Sequence, residues 1–351
     1  MIRTISIAIL SLSCCAVTLA QGQRQPPVLR GSNARPVTPA DANDKDSEPE
    51  DVGEGAVVRV STSLITVPAV VMDRNGRYIG NLRKEDFRIY EDGVEQDVAY
   101  FASVEKPFTV ALLLDVSGST QFQLAQIREA ANTFVGRLRM NDRLMAITFD
   151  GRVNVLTQPE RVAVIRRGKL HIPAVTDGTV LYDTVDFALK RMAQIPGRKA
   201  IVLMTDGVDQ DSRVSMKATL DGIAEQDMLV YTVQYNTLPQ LPERLSRIKD
   251  EKARRKVRER LLKGYALSEP YLRTLAEKTG GRFYRADDLR QVGPAFEAIT
   301  SELGVHYSLG FYSKHSANAD GERAVKVKVR YPNMVVRTRD SFSTSSVAQK
   351  E

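Results

Sequence analysis

Residues 112–120 read "LLLDVSGST": an apolar run stops at Asp115 and is followed by Ser117, Gly118, Ser119 and Thr120. One carboxylate with two or three hydroxyls makes a poor acid–base pair, but all of these groups are hard oxygen donors. Two later stretches have the same character. "TDGT" ends at Thr179, and "TDG" at 205–207 carries Asp206 behind a second apolar run. Oxygen donors of this kind suit Mg²⁺, Mn²⁺ or Ca²⁺ rather than zinc. A zinc site has little to draw on: the histidines are His171, His306 and His315, none in a spaced pair, and both cysteines, Cys14 and Cys15, lie at the extreme N-terminus.

Other chemistries fit these residues less well. Asp115, Ser117 and Ser119 are favoured helix N-caps, yet capping explains neither Thr179 nor Asp206. A phosphotransferase of the haloacid dehalogenase type needs a second carboxylate two residues after the first, and Ser117 stands there. Ser119 as a hydrolase nucleophile would want Gly-x-Ser-x-Gly and a histidine partner, which "VSGST" does not supply. Neither GxGxxG nor GxxxxGK occurs, which argues against nucleotide binding. Asp177, Asp209 and Asp211 are close in sequence, either as plain loop acids or as groups that shape the field or hold a second ion.

The elements that must position these residues begin after Pro107. Continuous apolar strands ("FTVALLLD", "RLMAITF", "KAIVLMTD", "MLVYTVQY") alternate with helices ("FQLAQIREAANTFVGRL", "VLYDTVDFALKRMA", "SMKATLDGIAEQ", then "YLRTLAEKTG" and "GPAFEAITSEL" around a short "GRFYRA"). That grammar predicts an α/β fold: a doubly wound, mostly parallel sheet with helices on both faces. Ligands of such sheets bind beyond the carboxyl ends of the strands, where Asp115 and Asp206 fall.

Period-two patterns flank this part. "SLITVPAVVMD", a tight turn at "RNGR" (74–77), and "FRIYEDGVEQDVAYF" turned at Asp92-Gly93 read as antiparallel strands. At the other end, "HYSLGFYS" precedes "RAVKVKVRYPNMVVRTRDSF", read as a hairpin turned at Pro332-Asn333. The expected organisation is a signal peptide at 1–20, a disordered linker at 21–55, and a β domain at 56–106 completed by a C-terminal hairpin within 306–343. The α/β domain at 107–305 is inserted into that small antiparallel β domain, and a disordered tail occupies 344–351.

The opening "MIRTISIAILSLSCCAVTLA" has the basic, apolar and small-residue zones of a cleavable signal, cut after Ala20. It implies an extracytoplasmic protein, periplasmic or secreted, with no transmembrane segment after cleavage. "LSCC" fits a lipoprotein signal poorly, so lipid anchoring is the lesser reading. After cleavage no cysteine remains, and no disulfide can hold the fold.

The 351 residues carry a formal charge of +7. From Glu243 to Lys263 there are ten basic and four acidic residues, so this stretch holds nearly all of the excess. The segment 242–264 reads as a basic helical insertion. It is either a solvated helix or a contact for an anionic surface or an acidic partner; nucleic acid is not expected.

In order, "DVSGS", "GTVLYD" and "TDG" resemble the metal-ion-dependent adhesion site of von Willebrand factor type A domains, and the resemblance spans roughly residues 107–305. The flanks "EDFRIYEDGVEQ" and "HYSLGFY" look like an exported bacterial subgroup carrying this domain. The resemblance implies a Rossmann-like fold and a metal held by Asp115, Ser117, Ser119, Thr179 and Asp206. It implies Mg²⁺, with Mn²⁺ or Ca²⁺ as alternatives, and a non-enzymatic protein that binds a partner supplying an Asp or Glu carboxylate. Two other readings are a structural envelope protein whose metal only stabilises the fold, and a subunit of a metal-dependent enzyme complex.

Overall fold

The computed structural model describes residues 64–103, 105–173, 176–224, 226–287, 291–315 and 321–343. All lie in the second of two units of the chain, Val58–Glu351. The expected signal peptide, linker and C-terminal tail fall outside the described residues.

The chain enters on β1 (Leu64–Asp73), followed by β2 (Phe87–Glu91), β3 (Val94–Gln96) and β4 (Tyr100–Ala102). β2 and β3 form an antiparallel hairpin. Its turn residues have positive φ, 46° at Asp92 and 86° at Gly93, which is the geometry an Asp-Gly pair favours.

The α/β part then runs β5 (Thr109–Asp115), α1 (Leu124–Arg137), β6 (Arg143–Phe149), β7 (Val153–Arg161), α2 (Val162–Gly168), α3 (Leu181–Ala193), β8 (Lys199–Thr205), α4 (Met216–Ala224), β9 (Leu229–Tyr235), α5 (Leu241–Ser246), α6 (Glu251–Glu277), β10 (Phe283–Ala286) and α7 (Val292–Leu303). Its six strands lie in the order β10-β9-β8-β5-β6-β7. Every pairing is parallel except β6 with β7. β5 is buried along its whole length because helices cover both faces. Leu112 and Leu114 pack with Phe134 of α1 and Phe296 of α7. Leu113 points the other way, toward Leu189 of α3 and Leu272 of α6. This is a doubly wound α/β fold with a mostly parallel central sheet, joined by additional antiparallel sheets.

The chain closes with β11 (Tyr307–Tyr312), β12 (Glu322–Val329), β13 (Met334–Thr338) and β14 (Ser341–Ser343). Strands from before and after the α/β part share two four-stranded sheets, β13-β1-β11-β4 and β14-β12-β2-β3. Val67, Phe87, Ile89, Phe311, Val327 and Phe342 form the core between them. Glu302 of α7 ties this layer to the α/β part. It is fully buried, accepts hydrogen bonds from Tyr78 (3.0 Å) and Tyr231 (2.5 Å), and pairs with Arg337 of β13.

Four sequence expectations differ from this arrangement. The predicted C-terminal hairpin does not form a ladder: β12 pairs with β2 and β14, whereas β13 pairs with β1. The apolar faces of the two strands each complete a different sheet, which buries more than a lone hairpin could. The segment "DVAYF" does not continue β3, since β4 leaves to pair with β11 in the other sheet. The basic stretch is not a separate helix before "YLRTLAEKTG"; α6 is one helix of 27 residues that runs through Pro270. Finally, β7 and α2 were not foreseen. β7 is an edge strand with partly exposed residues and Pro159, and it lacks the apolar run that betrays a central strand.

Candidate metal centre

The strand order reverses at β5: β6 lies on one side and β8 on the other. A crevice at the carboxyl ends of the strands is expected at such a point. β5 delivers Asp115 there and β8 delivers Asp206 just past Thr205. Both carboxylates are 1 % exposed.

Hydrogen bonds fix each group. Oδ1 of Asp115 accepts from the Ser117 backbone N–H (3.0 Å), and Oδ2 accepts from the Thr205 hydroxyl (2.6 Å). Ser117 and Ser119 lie Oγ to Oγ at 3.0 Å, both buried. After Ser117 the chain enters a short 3₁₀ turn, Gly118–Gln123, that leads into α1. No side chain caps that turn, so the hydroxyls are not used up as helix caps.

The loop carrying Thr179 is bonded to both neighbours. Ser117 makes a backbone bridge to Thr176, and the Thr179 carbonyl accepts from the N–H groups of Gln210 (3.0 Å) and Asp211 (3.1 Å). The Thr179 hydroxyl is buried and accepts from the Gln210 side chain at 3.4 Å. The loop fits because Gly178, with φ of 89°, lies against Gly151; a Cβ added at Gly178 would meet the Gly151 Cα at 2.8 Å. The five residues singled out from the sequence are thus brought to one end of the sheet by three mutually bonded segments.

Several participants carried no recognisable pattern in the sequence. Oδ1 of Asp206 accepts from the Val208 N–H (3.0 Å), and Oδ2 accepts from the Thr237 hydroxyl (2.7 Å), with the Tyr265 hydroxyl at 3.4 Å. Thr237 lies beyond β9 and Tyr265 on α6, and only the three-dimensional fold brings them here. Gly207 is also required: its φ is 83°, and a Cβ there would lie 2.5 Å from the Ser268 Cβ of α6. The neighbouring acids play local roles. Oδ2 of Asp211 accepts from the Thr179 N–H at 3.3 Å, and Asp209 accepts from the Ser212 hydroxyl at 2.6 Å. Burial raises the Asp209 carboxyl above its ordinary pKa.

Burial, and after it the charge of Asp206, raise the Asp115 carboxyl well above the usual carboxylate range; the bonds from Ser117 and Thr205 oppose that shift. Two buried carboxylates therefore repel one another, and neither has an ion-pair partner among the described residues. Buried like charges of this kind are costly unless a cation compensates them. Among the described residues no group of three His, Cys, Asp or Glu could hold a metal, so any ligand set must use the hydroxyls. Two carboxylates with Ser117, Ser119 and Thr179 supply only oxygen, which fits a hard divalent cation.

The chain thus carries a doubly wound α/β module whose strand ends are lined by oxygen donors. Residues 110–208 match the family model described as von Willebrand factor type A domain. No curated protein matches the chain. Among solved structures, a von Willebrand factor type A protein from Catenulispora acidiphila is 11% identical, with 81% of this chain and 73% of that chain covered and a TM-score of 0.43. The vWF domain of the type V pili tip protein Mfa5 from Porphyromonas gingivalis is 12% identical, covering 57% of this chain and 96% of that one, TM-score 0.40. The manganese-loaded TRAP protein of Plasmodium vivax is 12% identical over 73% of this chain and 98% of that chain, TM-score 0.37. Among the described residues no helix is long and apolar enough to cross a membrane.

Proposed function

We propose that this is an exported, non-enzymatic protein that binds a protein partner through a divalent cation. Asp115, Ser117, Ser119, Thr179 and Asp206 would hold the ion, Mg²⁺ first and Mn²⁺ or Ca²⁺ as alternatives. When bound, the ion supplies a positively charged position able to accept an Asp or Glu carboxylate of the partner.

One observation carries this reading: two buried, mutually repelling carboxylates lie at one end of the sheet with three buried hydroxyls and have no ion-pair partner among the described residues. The hydroxyls are neutral, so they add donors without cancelling the charge of an ion. The protein groups around the site serve to orient. Thr205 holds Asp115, Thr237 and Tyr265 hold Asp206, and Gln210 holds Thr179. No nucleophile–base pair is present among these groups, which favours binding over turnover. The opening 20 residues support export, and the subgroup of exported bacterial proteins remains the expected home of the chain. We read the α/β part, 107–305, as a domain carried by the surrounding β sandwich.

The test is capture of partners from an envelope extract by the purified chain, in Mg²⁺ and in EDTA, with circular dichroism to establish that the metal-free chain is folded. Capture that collapses in EDTA and returns with Mg²⁺ or Mn²⁺ supports adhesion through the ion. Undiminished capture by the folded, metal-free chain refutes it.

A further inference from the structure

Two cavities adjoin along α6. The first, about 650 Å³, opens beside Asp206 and is lined by Tyr265 and Leu238 among others. The second, about 560 Å³, lies between α5 and α6, and Leu238 lines it as well. Leu238 therefore belongs to both: the first borders Asp206, one of the five ligand candidates, and the second lies farther along the helix toward its N-terminus.

The second stretch has a distinct chemistry. Leu241 and Leu245 form a buried floor, while Leu238 and Leu262 remain 39% and 42% exposed on its wall. Arg254, Arg255 and Arg258 line its rim, against a single acid, Glu251. Arg255 is engaged by Glu259 at 3.0 Å, an exposed pair worth little. Arg254 and Arg258 have no ion-pair partner among the described residues. An apolar channel edged with guanidinium groups matches a chain that is extended, partly apolar and acidic. A flat anionic surface could meet the outer arginines but would leave the recessed Leu241 and Leu245 floor unfilled.

We propose that the ligand of the metal centre is an extended acidic segment of a partner protein that occupies both stretches. This rests on the metal-binding reading above and adds the class of partner. One acidic side chain addresses the Asp115–Asp206 site, and further acidic residues along the same segment face Arg254, Arg255 and Arg258. The spacing follows from the helix. Tyr265 at the metal centre and Arg254 are eleven residues apart, about 16 Å along the axis. An extended peptide covers that in about five residues. The two contacts are joined through one short strand, so the second raises the affinity of the first as a tethered interaction does.

The probe is a fluorescent synthetic peptide with one Asp, five small or apolar residues, and then three Glu. A second peptide of identical composition places the Asp directly beside the Glu residues. Fluorescence anisotropy with the full chain in Mg²⁺ should show the spaced peptide binding about tenfold more tightly than the compact one. R254E/R258E should remove that advantage, and R254Q/R258Q serves if the charge reversal perturbs folding. Equal binding of the two peptides, absence of binding, or insensitivity to the arginine variants overturns the proposal. Loss in EDTA without sensitivity to the arginines leaves the metal reading intact and removes the groove. Arginine-dependent binding that survives EDTA overturns the linked two-contact proposal and leaves an independent acidic site, while the metal reading stands or falls on the extract capture. Arginine-dependent binding to vesicles of phosphatidylglycerol and phosphatidylcholine, without a preference for the spaced peptide, assigns the surface to lipid and overturns the proposal.

Discussion

Thr205 donates its hydroxyl to Oδ2 of Asp115 at 2.6 Å, so the strand that presents one carboxylate of the site also fastens the other. The same Thr205 oxygen accepts from the Gly207 N–H at 2.9 Å, which shapes the turn that carries Asp206. Thr205→Val keeps the shape and removes both bonds. Metal affinity should fall about fivefold to tenfold, as loss of one charge-assisted bond implies. Isothermal titration calorimetry with Mn²⁺ measures it; unchanged affinity would show that β8 does not position Asp115.

Asp115→Asn separates the two roles of that carboxylate. Without metal the variant should be at least as stable as the parent, because one of two repelling buried charges is gone. Added Mg²⁺ should raise the melting temperature of the parent and leave the variant unmoved. A parent-like rise in the variant would remove Asp115 from the ligand set.

Gly207→Ala should be among the most damaging substitutions in the chain. It places a Cβ at positive φ and drives it against Ser268, at a cost on the order of 2–4 kcal/mol. Gly76→Ala shares the positive φ but meets nothing within 4 Å, so it should cost only about 1 kcal/mol. Urea unfolding of the two variants tests the difference, and equal costs would mean that α6 does not press on the loop.

Arg337→Met leaves the buried Glu302 without its cation. The expected loss is about 3–5 kcal/mol, largely recovered in E302Q/R337M. Denaturant midpoints of the two variants check this. A negligible loss in the single variant would mean that the pair does not hold the sandwich to α7.

His306 predicts a pH dependence of stability. It is fully enclosed; burial first, then the Arg198 guanidinium at 3.3 Å, lower its pKa from 6.5 to about 3. Below 6.5 the unfolded chain takes up a proton there that the folded chain refuses. Stability contributed by the neutral ring is complete above 6.5, falls as pH drops toward 3, and levels off below that. The slope approaches about 1.4 kcal/mol per pH unit. His306→Asn should flatten urea-derived stability between pH 4 and 6 by about one proton, and an unchanged slope would contradict the assignment.

How far the sequence could be read depended on where a residue's neighbours come from. β5, β8 and β9 announced themselves because a strand covered on both faces must be apolar throughout. The ligand candidates were visible because each follows directly from a strand end or a glycine-marked loop. Thr237 and Tyr265 were invisible, since their approach to Asp206 depends on where α6 crosses the sheet. Pro270 and Gly264 are unfavourable inside α6, but packing of Leu261, Tyr271, Leu272 and Leu275 against the domain outweighs both. The hairpin at Pro332-Asn333 failed for a similar reason. Local alternation fixes which faces are apolar, and the choice of pairing partner belongs to strands far away in the chain.

The pairing of β1 with β11 sets an order of events at synthesis. β1 leaves the ribosome early as an apolar strand, with neither its β11 nor its β13 neighbour yet made. Its ladder cannot close until the whole α/β part has emerged. Through that interval its open edge is available to other chains. If the α/β part folds as it emerges, it draws Ala102 and Ser308, register partners in the β4–β11 ladder, together and shortens the effective loop that must be closed. Slow or damaged folding of the α/β part would therefore surface as aggregation seeded by a strand that lies outside it.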